Sequence, residues 1–241
     1  MIKKNIIKIL NLLSKVVYNL IPSQFRPNGD ATIPLLQILH EKKTQSSYDT
    51  FHNYFKTSVL FSNIETIRKY AIEKSLINDE SQNYLYLEFG VHKGTSANFF
   101  SNYIKKLYAF DSFEGLREDW KGNVSYSKGH FNLNKEIPKL KSNIEPIVGW
   151  VQDTVRDFLK KKNKKINFIN MDLDTYESSK YVLEEVKPYL AKNCIIIFDE
   201  LYNYIGWEEG EFKALKEVFN DDEYDYRAFN LKDQQVVIQI K

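Results

Sequence analysis

The sequence predicts an α/β fold built on a doubly wound, mostly parallel sheet that ends in an antiparallel hairpin. Three observations support this fold class. Short apolar runs alternate with helix-like stretches between residues 84 and 219, which is the pattern of successive β-α units. Four of these runs end in a glycine or an acidic residue, as strands do when their carboxyl ends carry a ligand site. Residues 224–230 and 235–241 then alternate around a short polar turn, which predicts the hairpin.

Each strand of the parallel part is predicted from its own apolar run. These runs are residues 84–89, 107–111, 145–150, 166–171 and 193–198. The helices between them are predicted at 97–106, 151–160, 178–190 and 208–219. Residues 35–42, 48–56 and 65–74 are predicted as separate helical pieces, with a polar break at 44–47. We therefore expect an N-terminal amphipathic helix and helical cap in residues 1–80, and the main domain in residues 81–241.

Composition excludes several classes of protein. The 241 residues are 43% hydrophobic and 15% aromatic, which is enough for one substantial core. A net charge of +2 is close to neutral and does not indicate a nucleic-acid-binding protein. The one cysteine, Cys194, lies in an apolar run, so the chain has no intrachain disulfide framework. A reducing, cytoplasmic setting is compatible with this cysteine content.

Residues 1–22 predict an amphipathic helix with lysines along one face. Lys8 and Lys15 interrupt the apolar run, which makes it too short and too charged to span a bilayer. The segment also lacks the small-residue cleavage site of a secretory signal. Two interpretations stay open. The helix packs on the domain or on a second subunit, giving a homo-oligomer, or it lies on the inner face of the membrane as a peripheral contact.

The segment YLYLEFGVHKGTS, residues 84–96, predicts a strand, a glycine turn and the start of a helix. Gly90 lets a ligand approach the backbone closely, and Gly94 lets the helix begin without a Cβ clash. Ser96 is suited to cap that helix. This arrangement presents backbone N–H groups to a ligand at the carboxyl edge of a sheet.

The second strand points to the kind of cofactor. It ends in Asp111, followed by Ser112, and a carboxylate at this place can accept both hydroxyls of a ribose. The dinucleotide fingerprint needs a glycine where this chain has His92, so a diphosphate is disfavoured. A cofactor without phosphates, S-adenosylmethionine (SAM), fits better. Gln152 and Asp153 stand where an adenine would lie, and they either bond it or cap the helix.

Acidic residues follow two later strands at the same predicted edge. They are Asp172, Asp174, Asp199 and Glu200. Carboxylates that converge there repel one another unless a cation lies among them, and a hard divalent ion such as Mg²⁺ prefers oxygen ligands. The alternative is that these acids cap the following helices and bond the cofactor.

Five segments in order carry a resemblance: EFGVHKGTS, YAFDSFEGL, GWVQDT, MDLDTYES and FDEL. Together they resemble class I SAM-dependent methyltransferases, and more closely the macrocin and mycinamicin O-methyltransferase-like family, which methylates hydroxyls of deoxysugars. The resemblance covers about residues 80–241. It implies a Rossmann-like sheet, SAM as methyl donor and a Mg²⁺-dependent reaction.

The resemblance also implies roles for particular residues. Glu88, Gly90 and Ser96 would border the methionine part of SAM, and Asp111 its ribose. Asp172, Asp199 and Glu200 would hold the metal, although the family more usually has Asp-Asp where this chain has Asp199-Glu200.

Two residues compete for the role of general base. His130 lies in the long loop after the second strand, and an imidazole takes up a proton near pH 7. Asp174 is its rival. The sequence thus predicts a SAM-dependent O-methyltransferase whose acceptor is a hydroxyl of a sugar or related polyol, in a surface-glycan or secondary-metabolite precursor. Two alternatives remain: a nicotinamide-dependent oxidoreductase on a similar sheet, and a non-catalytic scaffold subunit with the same fold.

Overall fold

A computed structural model describes residues 35–123 and 126–241, together with residues 10, 12–14, 16–18, 20 and 21. Eight strands form one sheet: β1 (Val59–Phe61), β2 (Leu85–Phe89), β3 (Leu107–Asp111), β4 (Ile144–Val148), β5 (Ile166–Met171), β6 (Leu190–Phe198), β7 (Tyr224–Asn230) and β8 (Val236–Ile240). The helices are α1 (Leu35–Phe55), α2 (Ile64–Asn78), α3 (Thr95–Phe100), α4 (Val151–Lys162), α5 (Tyr176–Val186) and α6 (Glu211–Val218).

The strand order across the sheet is β1-β7-β8-β6-β5-β2-β3-β4. Only β8 runs against its neighbours, and it lies between β6 and β7. The predicted mostly parallel sheet with a terminal antiparallel hairpin is therefore confirmed. Residues 187–189 and 207–209 form short 3₁₀ turns.

The register of the parallel strands aligns their carboxyl ends. Phe89 of β2 lies opposite Phe110 of β3 and Met171 of β5, and Met171 lies opposite Phe198 of β6. The residues that follow these four positions consequently share one edge of the sheet. They are Gly90, Asp111, Asp172 and Asp199.

Both faces of the sheet are covered because successive side chains of a strand point to opposite faces. On one face Phe89, Phe110 and Phe198 pack with α1, α4, α5 and α6. On the other face Tyr86 and Phe168 pack with α2 and α3. Every residue of β2 and β5 is buried, and apolar residues predominate in both strands, with Glu88, Asn167 and Asn170 as buried polar exceptions. Burial of each phenylalanine contributes about 1.5–3 kcal/mol.

Helix α1 runs without the break expected at residues 44–47. The polar side chains there make contacts that keep the helix intact instead of ending it. Ser46 Oγ accepts a hydrogen bond from Trp207 Nε1 at 3.0 Å, and buried Ser47 Oγ accepts the backbone N–H of Asn203 at 3.2 Å. The Thr44 hydroxyl donates back to the carbonyl of His40. The prediction of two separate pieces was wrong because the contacts of Ser46 and Ser47 are tertiary.

The expected boundary at residue 80 does not divide the core. Strand β1, which the sequence did not predict, joins the sheet beside β7. Phe51 of α1 is fully buried in the same cluster as the β-strand phenylalanines. Helix α2 covers a face of the sheet against β6 rather than its ligand edge. Helix α3 ends at Phe100, earlier than predicted.

Much of the predicted helix in residues 1–22 lies outside the described residues. Those that are described before residue 21 are helical, and their apolar side chains are exposed. Within the described part of the chain, no helix has the length and apolar character needed to cross a membrane.

Candidate active site

The glycine turn after β2 is held by a close approach of two backbones. Gly90 has φ +85°, and a Cβ built on it would lie 1.6 Å from the carbonyl oxygen of Asp172. Its N–H donates to the carbonyl of Phe110 at 2.9 Å. Only glycine satisfies both the positive φ and this contact. The turn therefore joins the ends of β2, β3 and β5 into one compact edge.

Asp111 braces the same turn. Its Oδ2 accepts the backbone N–H groups of Val91 and His92, both at 2.8 Å, and its Oδ1 accepts the N–H of Phe113 at 2.7 Å. A carboxylate has room for further donors, so a role in binding the ribose stays a prediction. Asp111, which the sequence predicts as a site residue, thus fixes the backbone at Val91, His92 and Phe113.

Ser96 does not cap helix α3 as predicted. Gly94 is the N-cap residue, and no side chain bonds there. The Ser96 hydroxyl instead donates a short hydrogen bond to Glu88, which lies in β2 and is fully buried. Burial raises the pKa of Glu88 to about 8, against the opposing effects of the Ser96 hydrogen bond and the positive charge of Arg68. The carboxyl group of Glu88 is therefore mostly protonated at pH 7.

Three acids converge beyond the ends of β5 and β6. Carboxylate oxygens of Asp172, Asp174 and Glu200 lie within 4.8 Å of one another. Removal from water, reinforced by Asp199 and Asp111, raises the pKa of Asp174 to about 8. Burial and the neighbouring acids raise the pKa of Asp172 and of Glu200 well above their usual range.

This acidic cluster has the chemistry of a hard-cation site. Glu200 Oε2 is buried and has no hydrogen-bond partner among the described residues. Asp174 has φ +62°, a conformation that aspartate tolerates better than most residues. Three carboxylates with an unused oxygen match the oxygen donors that Mg²⁺ prefers, so the residues present fit that ion.

A cavity of about 450 Å³ joins the glycine turn to the acidic cluster. Its lining includes aromatic side chains as well as the predicted residues Gly90, Ser96, Asp111, Ser112, Asp172, Asp174 and Glu200. The aromatic residues are Phe110, Trp120, Tyr126, Phe131 and Trp150. A cleft of this size at the carboxyl edge of a parallel sheet is a usual place for a small-molecule site.

Comparison with known proteins shows which family part of the chain resembles. A family model described as "Methyltransferase domain" matches residues 87–201. This segment, slightly less than half of the chain, is therefore similar to known methyltransferase domains. A search of curated proteins found no match to this chain.

Solved structures share the methyltransferase fold. CalS11, a calicheamicin methyltransferase, is 19% identical with a TM-score of 0.61, over 88% of this chain and 98% of that one. A second structure of CalS11, there called TDP-rhamnose 3'-O-methyltransferase, is 20% identical with a TM-score of 0.54, over 86% and 95%. The O-methyltransferase NovP is 17% identical with a TM-score of 0.52, over 73% and 78%. At these identities the likeness establishes the fold.

The remaining predicted residues lie outside the lining of the methyltransferase cavity. Gln152 bonds the hydroxyl of Ser178 at 3.5 Å, and Asp153 is exposed on the first turn of α4. Gly149, Trp150 and Val151 line the cavity in their place. Gly94 and buried Glu88 are also absent from the cavity lining. Gly94 is the N-cap residue of α3, and Glu88 lies in β2 just before the turn.

His130 is not brought to the acidic cluster. Its ring is exposed and packs against those of Tyr126 and Phe131, with centroids 4.7 and 4.4 Å away. Phe131 in turn contacts the ring of His92. Of the two residues predicted as general base, the structure places only Asp174 among the acids.

Asp199 is not one of the three acids that lie within 4.8 Å of one another, although its charge acts on all of them. Its Oδ1 accepts hydrogen bonds from Arg68 Nη2 at 3.0 Å and from Gln235 Nε2 at 3.2 Å. Asp174 occupies the place in the cluster that the sequence had given to Asp199. Arg68 was missed because it lies 131 residues earlier. The available signal was an arginine on the buried stripe of α2, beside Ile67 and Ile72.

Proposed function

We propose that this methyltransferase transfers the methyl group of SAM to a hydroxyl of a sugar or related polyol, with Mg²⁺ held by Asp172, Asp174 and Glu200. The observation that carries the proposal is the cluster of three carboxylates, within 4.8 Å of one another, in the same cavity as the glycine turn. Bound there, Mg²⁺ would lower the pKa of the acceptor hydroxyl.

The chain's own residues would mainly position the reactants. The S–CH₃ bond of SAM breaks as the O–CH₃ bond forms in line with it, and S-adenosylhomocysteine (SAH) leaves. Such a displacement depends on orientation and on exclusion of water more than on covalent help from the protein. Asp174 lies in the same cluster and would accept the hydroxyl proton through the carboxylate oxygen that does not hold the ion.

Aromatic side chains support a sugar ring as the acceptor. Trp120, Tyr126 and Phe131 line the cavity, with the rings of Tyr126 and Phe131 stacked at 5.4 Å. Apolar faces beside a few polar groups suit a ligand whose C–H surface is flanked by hydroxyls. CalS11, which shares the fold, is called a TDP-rhamnose 3'-O-methyltransferase.

Calorimetry with SAH tests the cofactor, and a methyl-transfer assay with and without chelator tests the metal. We expect micromolar SAH binding. We also expect that methyl transfer to a sugar acceptor requires Mg²⁺ and is lost in chelator. Asp222→Asn, at an exposed acid outside the cavity, is the control and should behave like the unmodified protein. Full turnover in chelator would remove the metal from the mechanism. Absence of SAH binding would favour the scaffold subunit, and binding of NAD instead would favour the oxidoreductase.

We further propose that residues 1–22 hold the methyltransferase at an anionic membrane surface on the cytoplasmic side. The described apolar side chains of this segment are 41–77% exposed: Leu10, Leu12, Leu13, Val16, Val17, Tyr18 and Leu20. Lysines at 3, 4, 8 and 15 accompany them in the sequence. A basic amphipathic helix of this kind gains affinity from both acyl chains and anionic headgroups. A glycolipid precursor would then be a suitable acceptor.

Co-sedimentation with phosphatidylserine vesicles tests the membrane contact. Deletion of residues 1–22 is expected to abolish most of the binding, and added salt to weaken it for the full chain. Equal sedimentation of both proteins contradicts the proposal. Size-exclusion chromatography of the same pair separates the alternative, because a helix that joins two subunits would convert a dimer to a monomer when deleted.

A further inference from the structure

Arg68 is a buried cation with a donor that nothing in the described protein uses. The side chain, on α2, is only 10% exposed. Its Nη2 donates to Asp199, while Nε is buried and has no hydrogen-bond partner among the described residues. A guanidinium has five N–H donors, and leaving one unpaired in the interior costs free energy. An acceptor from outside the protein would remove that cost.

The cavity contains Arg68 on the same side of the sheet as Glu88. Arg68 lies on α2, and Glu88 of β2 feels its positive charge while accepting the hydrogen bond from the Ser96 hydroxyl. Asp111 lies at the end of β3, on the far side of β2 from β5 and β6. The cavity thus has Arg68 at one end of the glycine turn and Asp111 at the other.

SAM carries a single anionic group, the α-carboxylate of its methionine part. Three cationic residues that stay charged line the cavity: Arg68, Lys93 and Arg117. Lys93 and Arg117 are exposed at its rim, and Arg117 stacks over the ring of Trp150. Among the described lining residues only Arg68 is a buried cation, and burial strengthens a charge-assisted hydrogen bond.

We propose that Arg68 binds the α-carboxylate of SAM through its unused Nε–H, while its Nη2 stays bonded to Asp199. This assignment rests on the proposed function, and it adds a residue from α2 to a site otherwise built from strand ends. It also sets the direction of the cofactor: the methionine part lies toward β6, and the ribose toward Asp111. Asp199 then acts as a positioning residue, since it holds the guanidinium in place.

The test compares two ligands that differ only in the carboxylate, SAH and decarboxylated SAH, by calorimetry. The unmodified protein should bind SAH about 10- to 100-fold more tightly than the decarboxylated compound. Arg68→Met should lose that preference, chiefly by weakening SAH. Arg68→Lys keeps the charge without the fork of donors and should retain part of it. Arg117→Met, at another arginine that lines the cavity, should leave the ratio of the two affinities unchanged.

Each other outcome has a distinct meaning. Equal affinity of the unmodified protein for both ligands overturns the role of Arg68 while leaving the proposed function intact, and this comparison needs no variant to fold. If Arg68→Met or Arg68→Lys weakens both ligands by the same factor, Arg68 acts only through its ion pair with Asp199, and the proposal fails. If neither ligand binds the unmodified protein, the proposed function itself fails.

Discussion

Asp174→Asn should make the protein more stable at pH 8 and nearly inactive. Asparagine accepts the positive φ of +62° at this position, so the turn keeps its shape. The change removes one of three negative charges that lie within 4.8 Å of one another. It also removes the group proposed to accept the proton, and we expect the turnover rate to fall by roughly 10²- to 10⁴-fold.

The gain in stability should depend on pH in a defined direction. The pKa of Asp174 is about 8 in the folded protein and near its ordinary 3.8 when unfolded. The folded state therefore binds this proton more tightly, so raising the pH through this window favours the unfolded state. The penalty is absent below about pH 4 and complete above about pH 8. Asparagine does not ionise, so the variant avoids this penalty. Its free energy of unfolding at pH 8 should therefore be higher by on the order of 2–5 kcal/mol.

Urea unfolding in chelator at pH 5 and pH 8 measures this advantage, and methyl transfer with Mg²⁺ measures the activity. Asp222→Asn again serves as the control, because its exposed carboxylate does not belong to the acidic cluster. A variant that is less stable than the unmodified protein at pH 8 would contradict the raised pKa of Asp174. A variant that keeps its turnover would contradict the role of Asp174 as proton acceptor.

Gly90→Ala should destabilise the fold severely and eliminate SAH binding. The new Cβ would lie 1.6 Å from the carbonyl oxygen of Asp172, so β2 and β5 must separate where the cofactor is proposed to bind. With the added strain of φ +85°, the loss should exceed about 3 kcal/mol. Urea unfolding and SAH calorimetry are the two measurements.

Gly129→Ala is the matched control for this change. Gly129 has nearly the same φ, +81°, but a Cβ built there meets nothing within 4 Å. Only the cost of the backbone conformation applies, about 1 kcal/mol. Similar losses for the two variants would mean that the contact with Asp172 does not limit the turn.

The sequence predicted the sheet well because its central strands are buried on both faces. Such strands are mostly apolar, and β2, β5 and the second half of β6 could be recognised from their apolar runs for that reason. The acids and the glycine that follow them were placed correctly at one edge, since parallel strands in register end together. Strand β1 has only three residues, two of them exposed, and it left no pattern to recognise.

The choice among the acids required three-dimensional information. Asp174 and Asp199 both follow buried strands, and nothing local distinguishes them. Asp199 accepts hydrogen bonds from Arg68 and Gln235, which lie 131 and 36 residues away in the chain. Asp174 has a positive φ, and its carboxylate lies in the acidic cluster. His130 was a reasonable base on chemistry alone, but its loop holds the ring against Tyr126 and Phe131.

The position of β8 has a consequence for the biosynthesis of the protein. This strand lies between β6 and β7, yet it follows both of them in the chain. A nascent chain that has emerged only as far as β7 leaves the edge of β6 open, and an open edge can pair with the wrong partner. Gln235, which bonds Asp199, emerges at the same late moment as β8. The sheet and the site should therefore be completed together, once β8 has emerged.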